Sequence, residues 1–195
     1  MAMQVNLRPL TGHFDSGYAL DKHSKYSTPI GYNEYGHMQF ETVRTEAGEA
    51  TFQLKYRQDH SQVAHLAEAV RDHIVPLLPK FGMIIPMPAS NVRTVQPVYQ
   101  VAEALGKLLD KPVFENMLIK APGGPSLKNL NTREEKVAAL AGQITLNPVI
   151  QNNGKWAALV VDDLYHSGAS LDAACDVLRT YEKIGSIYVA TLTWR

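Results

Sequence analysis

Leu159-Val160-Val161-Asp162-Asp163-Leu164-Tyr165-His166-Ser167-Gly168-Ala169-Ser170 is the stretch on which the fold turns. An apolar run ends in two adjacent carboxylates, a short turn carries a hydroxyl and a glycine, and an amphipathic segment begins at once. The run over 157–163 predicts a strand buried on both faces, because a short continuous apolar segment bounded by turn residues fits a covered strand. Leu171, Ala174, Cys175, Leu178 and Tyr181 then recur at helical spacing, with Gly185 just past the end, so residues 170–183 predict a helix.

Working outward, the same alternation continues in both directions. Residues 186–193 read as the last strand. Upstream, Thr132 with Glu135 three residues on predicts a capped short helix, and residues 112–114 a short strand. Val98, Val101, Ala102, Leu105 and Leu108 predict a helix starting near Pro97, and residues 83–88 a buried strand. Val63, Leu66, Ala67, Val70 and Ile74 predict a helix that Asp59 and Gln62 open and Pro76 and Pro79 close. Before residue 59 the pattern changes. Residues 38–45 and 50–56 alternate apolar and polar, which predicts a β-hairpin turning at Gly48. The first forty residues, rich in Gly, Tyr and His, predict irregular structure with short strands. The fold class expected is therefore α/β: a mainly parallel twisted sheet with helices on both faces, plus an N-terminal β-rich hood. The expected division is a hood over 1–50 and a core over 51–195, in one compact unit.

Each feature of the opening stretch has a chemical use. A helix N-terminus offers unpaired N–H groups and partial positive charge to a phosphate. Gly168 permits close approach and positive φ, and Ser167 and Ser170 add hydroxyls. Adjacent carboxylates can accept hydrogen bonds from a sugar diol or hold a hydrated magnesium ion. Phosphate at one end and diol at the other describe a ribose 5-phosphate. Taken singly, the acids could be a solvated strand end and the serines mere helix caps; it is their conjunction that points to a site. The segment is neither a GxxxxGK[ST] loop nor a GxGxxG fingerprint.

Composition bounds the partners. The 195 residues carry 19 Lys+Arg against 19 Asp+Glu, which argues against a nucleic-acid binder of the ordinary basic kind. No apolar run approaches the ~18 residues that predict a membrane span, and the first residues lack a signal-peptide core. A cytoplasmic location is expected, and zero net charge is compatible with a homodimer. The lone Cys175 falls on an apolar helix face, a core position, and allows no internal disulfide.

The segment over 159–170 resembles the phosphoribosyl-pyrophosphate (PRPP) motif of type I phosphoribosyltransferases: a hydrophobic strand, two acids and a TTGxT-like loop, with His166, Ser167 and Ser170 standing where threonines are usual. Over roughly 52–195 the chain is also similar to the ComF-like (competence protein F) subgroup. Leu54-Lys55-Tyr56 matches its LKY segment, Ile85-Pro86-Met87-Pro88 followed by Arg93 its PVP…R segment, and Leu130…Arg133…Gly142 its later L…R…G stretch. The subgroup's RGFNQ segment is not matched at Gln96-Pro97-Val98-Tyr99-Gln100, and its Cys-rich zinc module is not expected in a chain with one cysteine. No DNA-uptake role is implied.

The resemblance implies the type I phosphoribosyltransferase fold and transfer of phosphoribose from PRPP to a nitrogen nucleophile, such as a nucleobase, with magnesium and release of pyrophosphate. Asp162 and Asp163 would engage the ribose and, indirectly, magnesium. Tyr165, His166, Ser167, Gly168, Ala169 and Ser170 would wrap the 5-phosphate. Ala89, Ser90 and Asn91 would form the pyrophosphate loop, with Arg93 supplying positive charge. Lys120, Lys128 and Arg133, around the Gly/Pro-rich loop 121–131, are lid candidates; an ordinary surface loop is the plainer alternative. A non-catalytic PRPP-binding sensor stays open beside the enzyme, since fold and ligand site do not guarantee turnover.

Overall fold

The structure is a computed structural model and describes residues 2–89, 95–122 and 130–195. Its centre is β8 (Trp156–Tyr165), whose Ala158, Leu159, Val160 and Val161 are fully buried. The period-two alternation of a strand divides them. Ala158 and Val160 pack into one hydrophobic cluster, Leu159 and Val161 into another on the opposite face.

The strand lies between β5 (Met83–Pro86) and β9 (Ile184–Trp194), parallel to both. β9 pairs in parallel with β2 (Ser16–Lys22), which carries a two-residue antiparallel edge strand, β1 (Arg8–Pro9). The order is β1-β2-β9-β8-β5, and three of its four pairings are parallel, as expected. On one face lie α5 (Ala169–Arg179), α4 (Arg133–Leu140) and the small ribbon of β6 (Leu118–Lys120) and β7 (Ile144–Leu146). On the other lie α1 (Glu46–Arg57), α2 (Gln62–Ala69) and α3 (Pro97–Leu109). Covering both faces is what lets the middle of each strand, residues 158–161 of β8 and 187–190 of β9, be buried and apolar.

Three expectations need correction. Residues 50–56 are not a strand: they lie in α1. Thr45 caps it, its Oγ1 accepting the Gly48 N–H at 3.0 Å, and Ala47, Ala50 and Leu54 are buried along one face. The alternation was accidental, and a three-residue periodicity with a cap underlies it. The hairpin that does form joins β3 (Ser24–Tyr32) to β4 (Met38–Arg44), turning where the Asn33 side chain accepts the Tyr35 and His37 amides. Finally, β2 lies inside the central sheet where a hood was expected, and α1 spans the expected boundary at residue 50.

Elsewhere the reading matches. Thr132 and Glu135 form the capping box of α4, Val113 makes a parallel bridge to Ile84, and Cys175 is fully buried, its thiol pushed up to about 12 by burial and then by Asp172. The helix opened at residue 59 relaxes through a π turn (Val70–Ile74) into a 3-10 turn (Val75–Leu77) at Pro76, which has no amide to continue the ladder.

Candidate active site

The helix following β5 packs on one face of the sheet and the helix following β8 on the other. Their C-terminal ends therefore form a switch point, where neighbouring loops diverge and leave a crevice. A cleft opens there, lined by Lys55, Met87, Pro88, Ala89, residues 96–99, Asp162 and Asp163.

Alternation along β8 sends the two acids to different surroundings. Asp163 faces α1, where Lys55 Nζ donates to its Oδ2 in a short ion pair. Burial pulls the Lys55 ammonium down, but the charge and hydrogen bond of Asp163 outweigh it and raise the pKa. The Asp163 carbonyl accepts from Thr193 Oγ1 at 2.8 Å. Asp162 registers against Thr191 of β9, and its Oδ1 accepts the Asp163 N–H at 2.8 Å. It is half-buried by surface area, yet protein encloses it. That desolvation, then the Asp163 charge, pushes its carboxyl up to about 7, against the opposing pull of the Asp163 N–H, Lys55 and Lys120. Lys120, closing β6, is drawn down by burial and held up by the Asp162 charge.

Beyond the acids, β8 runs to Tyr165, two residues further than the sequence predicts. Tyr165 is buried. Its hydroxyl donates to the Thr11 carbonyl at 2.9 Å, and its own carbonyl accepts the Arg195 N–H at 2.9 Å. That side chain is committed to the fold, not to the cleft. His166 is exposed and Ser167 half-buried, its Oγ accepting the Ala169 N–H at 3.4 Å. Gly168 is the N-cap of α5 at φ +78°, and it brings no side chain to the first-turn amides. Ala169 is buried and Ser170 half-buried in that turn.

Arg133 is anchored where a lid residue would be free to swing. Its Nε donates to the nearly buried Asp172 of α5 at 2.5 Å, Nη2 to the Thr11 carbonyl at 3.0 Å, and Nη1 to the Tyr165 hydroxyl at 3.4 Å. Its guanidinium lies against Gly168, where a Cβ would come within 2.7 Å of Nη2. Arg133 thus ties α4 to the turn that opens α5. Ala89 lines the cleft; Ser90, Asn91, Arg93 and Lys128 lie outside the described residues.

Sequence reasoning missed two groups. Lys55 was visible only as part of an LKY segment; its partner lies 108 residues away. Tyr99 also lines the cleft, its hydroxyl raised by burial despite a hydrogen bond from the Ala89 backbone. No signal in the sequence marks it.

No family model and no curated protein matches the chain. Solved structures do. Adenine phosphoribosyltransferase from Trypanosoma brucei, in complex with AMP, pyrophosphate and ribose-5-phosphate, is similar over 96% of this chain and 74% of its own, at 9% identity and a TM-score of 0.50. The fold is that of type I phosphoribosyltransferases. The Saccharomyces cerevisiae adenine phosphoribosyltransferase, bound to adenine and an iminoaltritol bisphosphate, aligns over 85% of this chain and 82% of its own (14% identity, TM-score 0.46). Leishmania donovani UMP synthase aligns over 85% of this chain (15% identity, TM-score 0.38), which spans 28% of that protein's length. At these identities the likeness is one of fold; in the type I fold seen here, the cleft sits at the carboxyl edge between β5 and β8. No helix among the described residues is long and apolar enough to cross a membrane.

Proposed function

We propose that the chain is a PRPP-dependent phosphoribosyltransferase of ComF-like kind. The observation that carries the reading is the continuous path from Asp162 and Asp163, through the left-handed Gly168 turn, to the first turn of α5, beside a cleft at the switch point of a type I fold. The amides of that turn, with Ser167 and Ser170, bind the 5-phosphate. Asp162 and Asp163 accept hydrogen bonds from the ribose diol. Ala89, with Ser90, Asn91 and Arg93 after it, takes the pyrophosphate.

The reaction breaks the C1–O bond, and the electron pair leaves with pyrophosphate. The acceptor nitrogen's lone pair forms the new C1–N bond and its proton passes to solvent. Positive charge builds on the ribose ring as the bond loosens, much as in glycoside cleavage. The two carboxylates stabilise that charge, and Lys55 shares Asp163 with the substrate. No side-chain nucleophile is needed; positioning and preorganised charge supply the acceleration.

Magnesium fits this donor set. Among the described residues no group of three or more His, Cys, Asp or Glu could enclose a metal. Mg²⁺ instead typically takes one or two carboxylates, water and substrate phosphate oxygens. Asp162 and Asp163 would hold it indirectly, and when bound it neutralises the leaving pyrophosphate.

The ammonium already seated on Asp163 favours one second reading, a sensor that binds PRPP without turnover. Pyrophosphate release from PRPP, measured over a panel of nucleobases and small amines, separates the two. The enzyme reading expects release with one acceptor class and a loss of about 100-fold in kcat/KM for Asp163→Asn. Saturable PRPP binding without release for any acceptor selects the sensor, and absence of PRPP binding overturns both.

A further inference from the structure

The site described above leaves one neighbouring cavity unused. It opens beyond Lys55, where the C-terminal end of α1 and the turn before α2 meet the start of α3, and Lys55, Tyr56, Gln58, His60, Val95 and Pro97 line it. Its volume is about 450 Å³, against about 140 Å³ for the cleft at the acids. The cleft alone is smaller than the roughly 300–1,000 Å³ typical of small-molecule sites. Lys55 and Pro97 line both spaces, so the Lys55 side chain, seated on Asp163, stands between them.

The chemistry of its walls is one-sided. No acid is among the described residues that line it. Asp59, the nearest in sequence, is taken up at the start of α2, where its carboxylate accepts the Ser61 N–H and hydroxyl and the Gln62 side-chain amide. The walls carry an ammonium, a phenol, an amide and an imidazole instead. Tyr56 is 59% exposed, its ring set 5.3 Å from that of Phe52, and Lys55 Nζ lies 5.9 Å from its centre. His60 Nδ1 lies 2.8 Å from Gln100 Oε1, which fixes the ring and leaves Nε2 to a ligand; in the imidazolium both nitrogens donate. Gln58 closes α1 in the left-handed conformation (φ +57°), where glycine is usual and a side chain is strained. A side chain retained there, at a cavity wall, points to a use for it.

We propose that the two spaces together hold PRPP, with its pyrophosphate group in this cavity. Lys55, whose ammonium has three N–H groups, bridges Asp163 and the phosphates, and Tyr56, Gln58 and His60 donate to them. Donors without acids select an anion over a cation. Position selects the leaving group over the acceptor: Val95 and Pro97 belong to the segment that leads from β5 into α3, so the cavity borders the β5 side of the acids. Substitution at C1 brings the acceptor from the side away from the leaving group, toward β9. The assignment rests on the phosphoribosyltransferase reading of the acids and the Gly168 turn.

Calorimetric titration of the full chain in magnesium tests it, with inorganic pyrophosphate as one probe and ribose 5-phosphate as the other. The wild type binds both. His60→Ala and Gln58→Gly each weaken pyrophosphate binding about 10-fold, the loss of a hydrogen bond to a charged group, and leave ribose 5-phosphate binding unchanged. Gln58→Gly also melts above the wild type, because glycine takes the left-handed conformation freely; a merely structural Gln58 would raise the melting temperature without touching pyrophosphate. Pyrophosphate binding that neither variant weakens overturns the site, as does a wild type that binds ribose 5-phosphate but not pyrophosphate, and both results leave the phosphoribosyltransferase reading standing. Binding of neither probe overturns the two together.

Discussion

Asp162 shows how a single residue can hold information about both stability and function. Its carboxyl, raised from an ordinary value of 3.8 to about 7 chiefly by burial, is protonated in the folded chain over a range where it is ionised in the unfolded one. The folded state then binds the extra proton, so this group's contribution to stability declines as pH rises from about 4 to about 7 and stays low above that. Asp162→Asn removes the cost. The variant is expected to melt above the wild type at pH 8, by about 2–4 °C for each kcal/mol relieved in a chain of this size, with little difference at pH 5. An equal change at both pH values would show that Asp162 is not the group responsible. The acidic pair itself was legible because adjacent acids closing an apolar run are conspicuous. Their electrostatics were not, because Lys55 and Lys120 reach them from other elements, and Arg133 reaches the Gly168 turn in the same way.

At the scale of elements, α1 explains why local alternation misled. A glycine three residues after a threonine in an exposed-looking stretch reads as a turn, yet here it is a helical contact. An alanine Cβ at Gly48 would lie 2.0 Å from the His23 carbonyl oxygen. Helix propensity favours Ala over Gly by about 1 kcal/mol, but the obstacle is backbone and cannot rotate away, and overpacking costs about 1–3 kcal/mol. Gly48→Ala is expected to lower the melting temperature; a rise would mean that α1 does not approach β2 so closely. The same packing buries His23, whose pKa is lowered first by burial and then by Arg195, Arg44 and Lys55. Strands β5, β8 and β9 and helices α3, α4 and α5 were readable because each carries its own period or cap. β2 was not, since its burial comes from pairing with β9, more than 160 residues away in sequence, and nothing local distinguishes it from the irregular stretch around it.

At the scale of the whole molecule, the crossovers do the placing. Parallel strands whose helices leave to opposite faces bring Asp162, Asp163 and the opening turn of α5 to one edge, beside the loop that follows β5. Lys55 from α1 and Lys120 from β6 converge on the same acids. The measurement that tests this most directly is a titration of ¹⁵N-labelled protein with PRPP and magnesium, followed through the backbone amides. Saturable shifts centred on Gly168, Ala169 and Ser170, and missing when inorganic sulfate replaces PRPP at equal concentration, are the predicted result. Amides that stay still there while others respond, or no response anywhere, would contradict it.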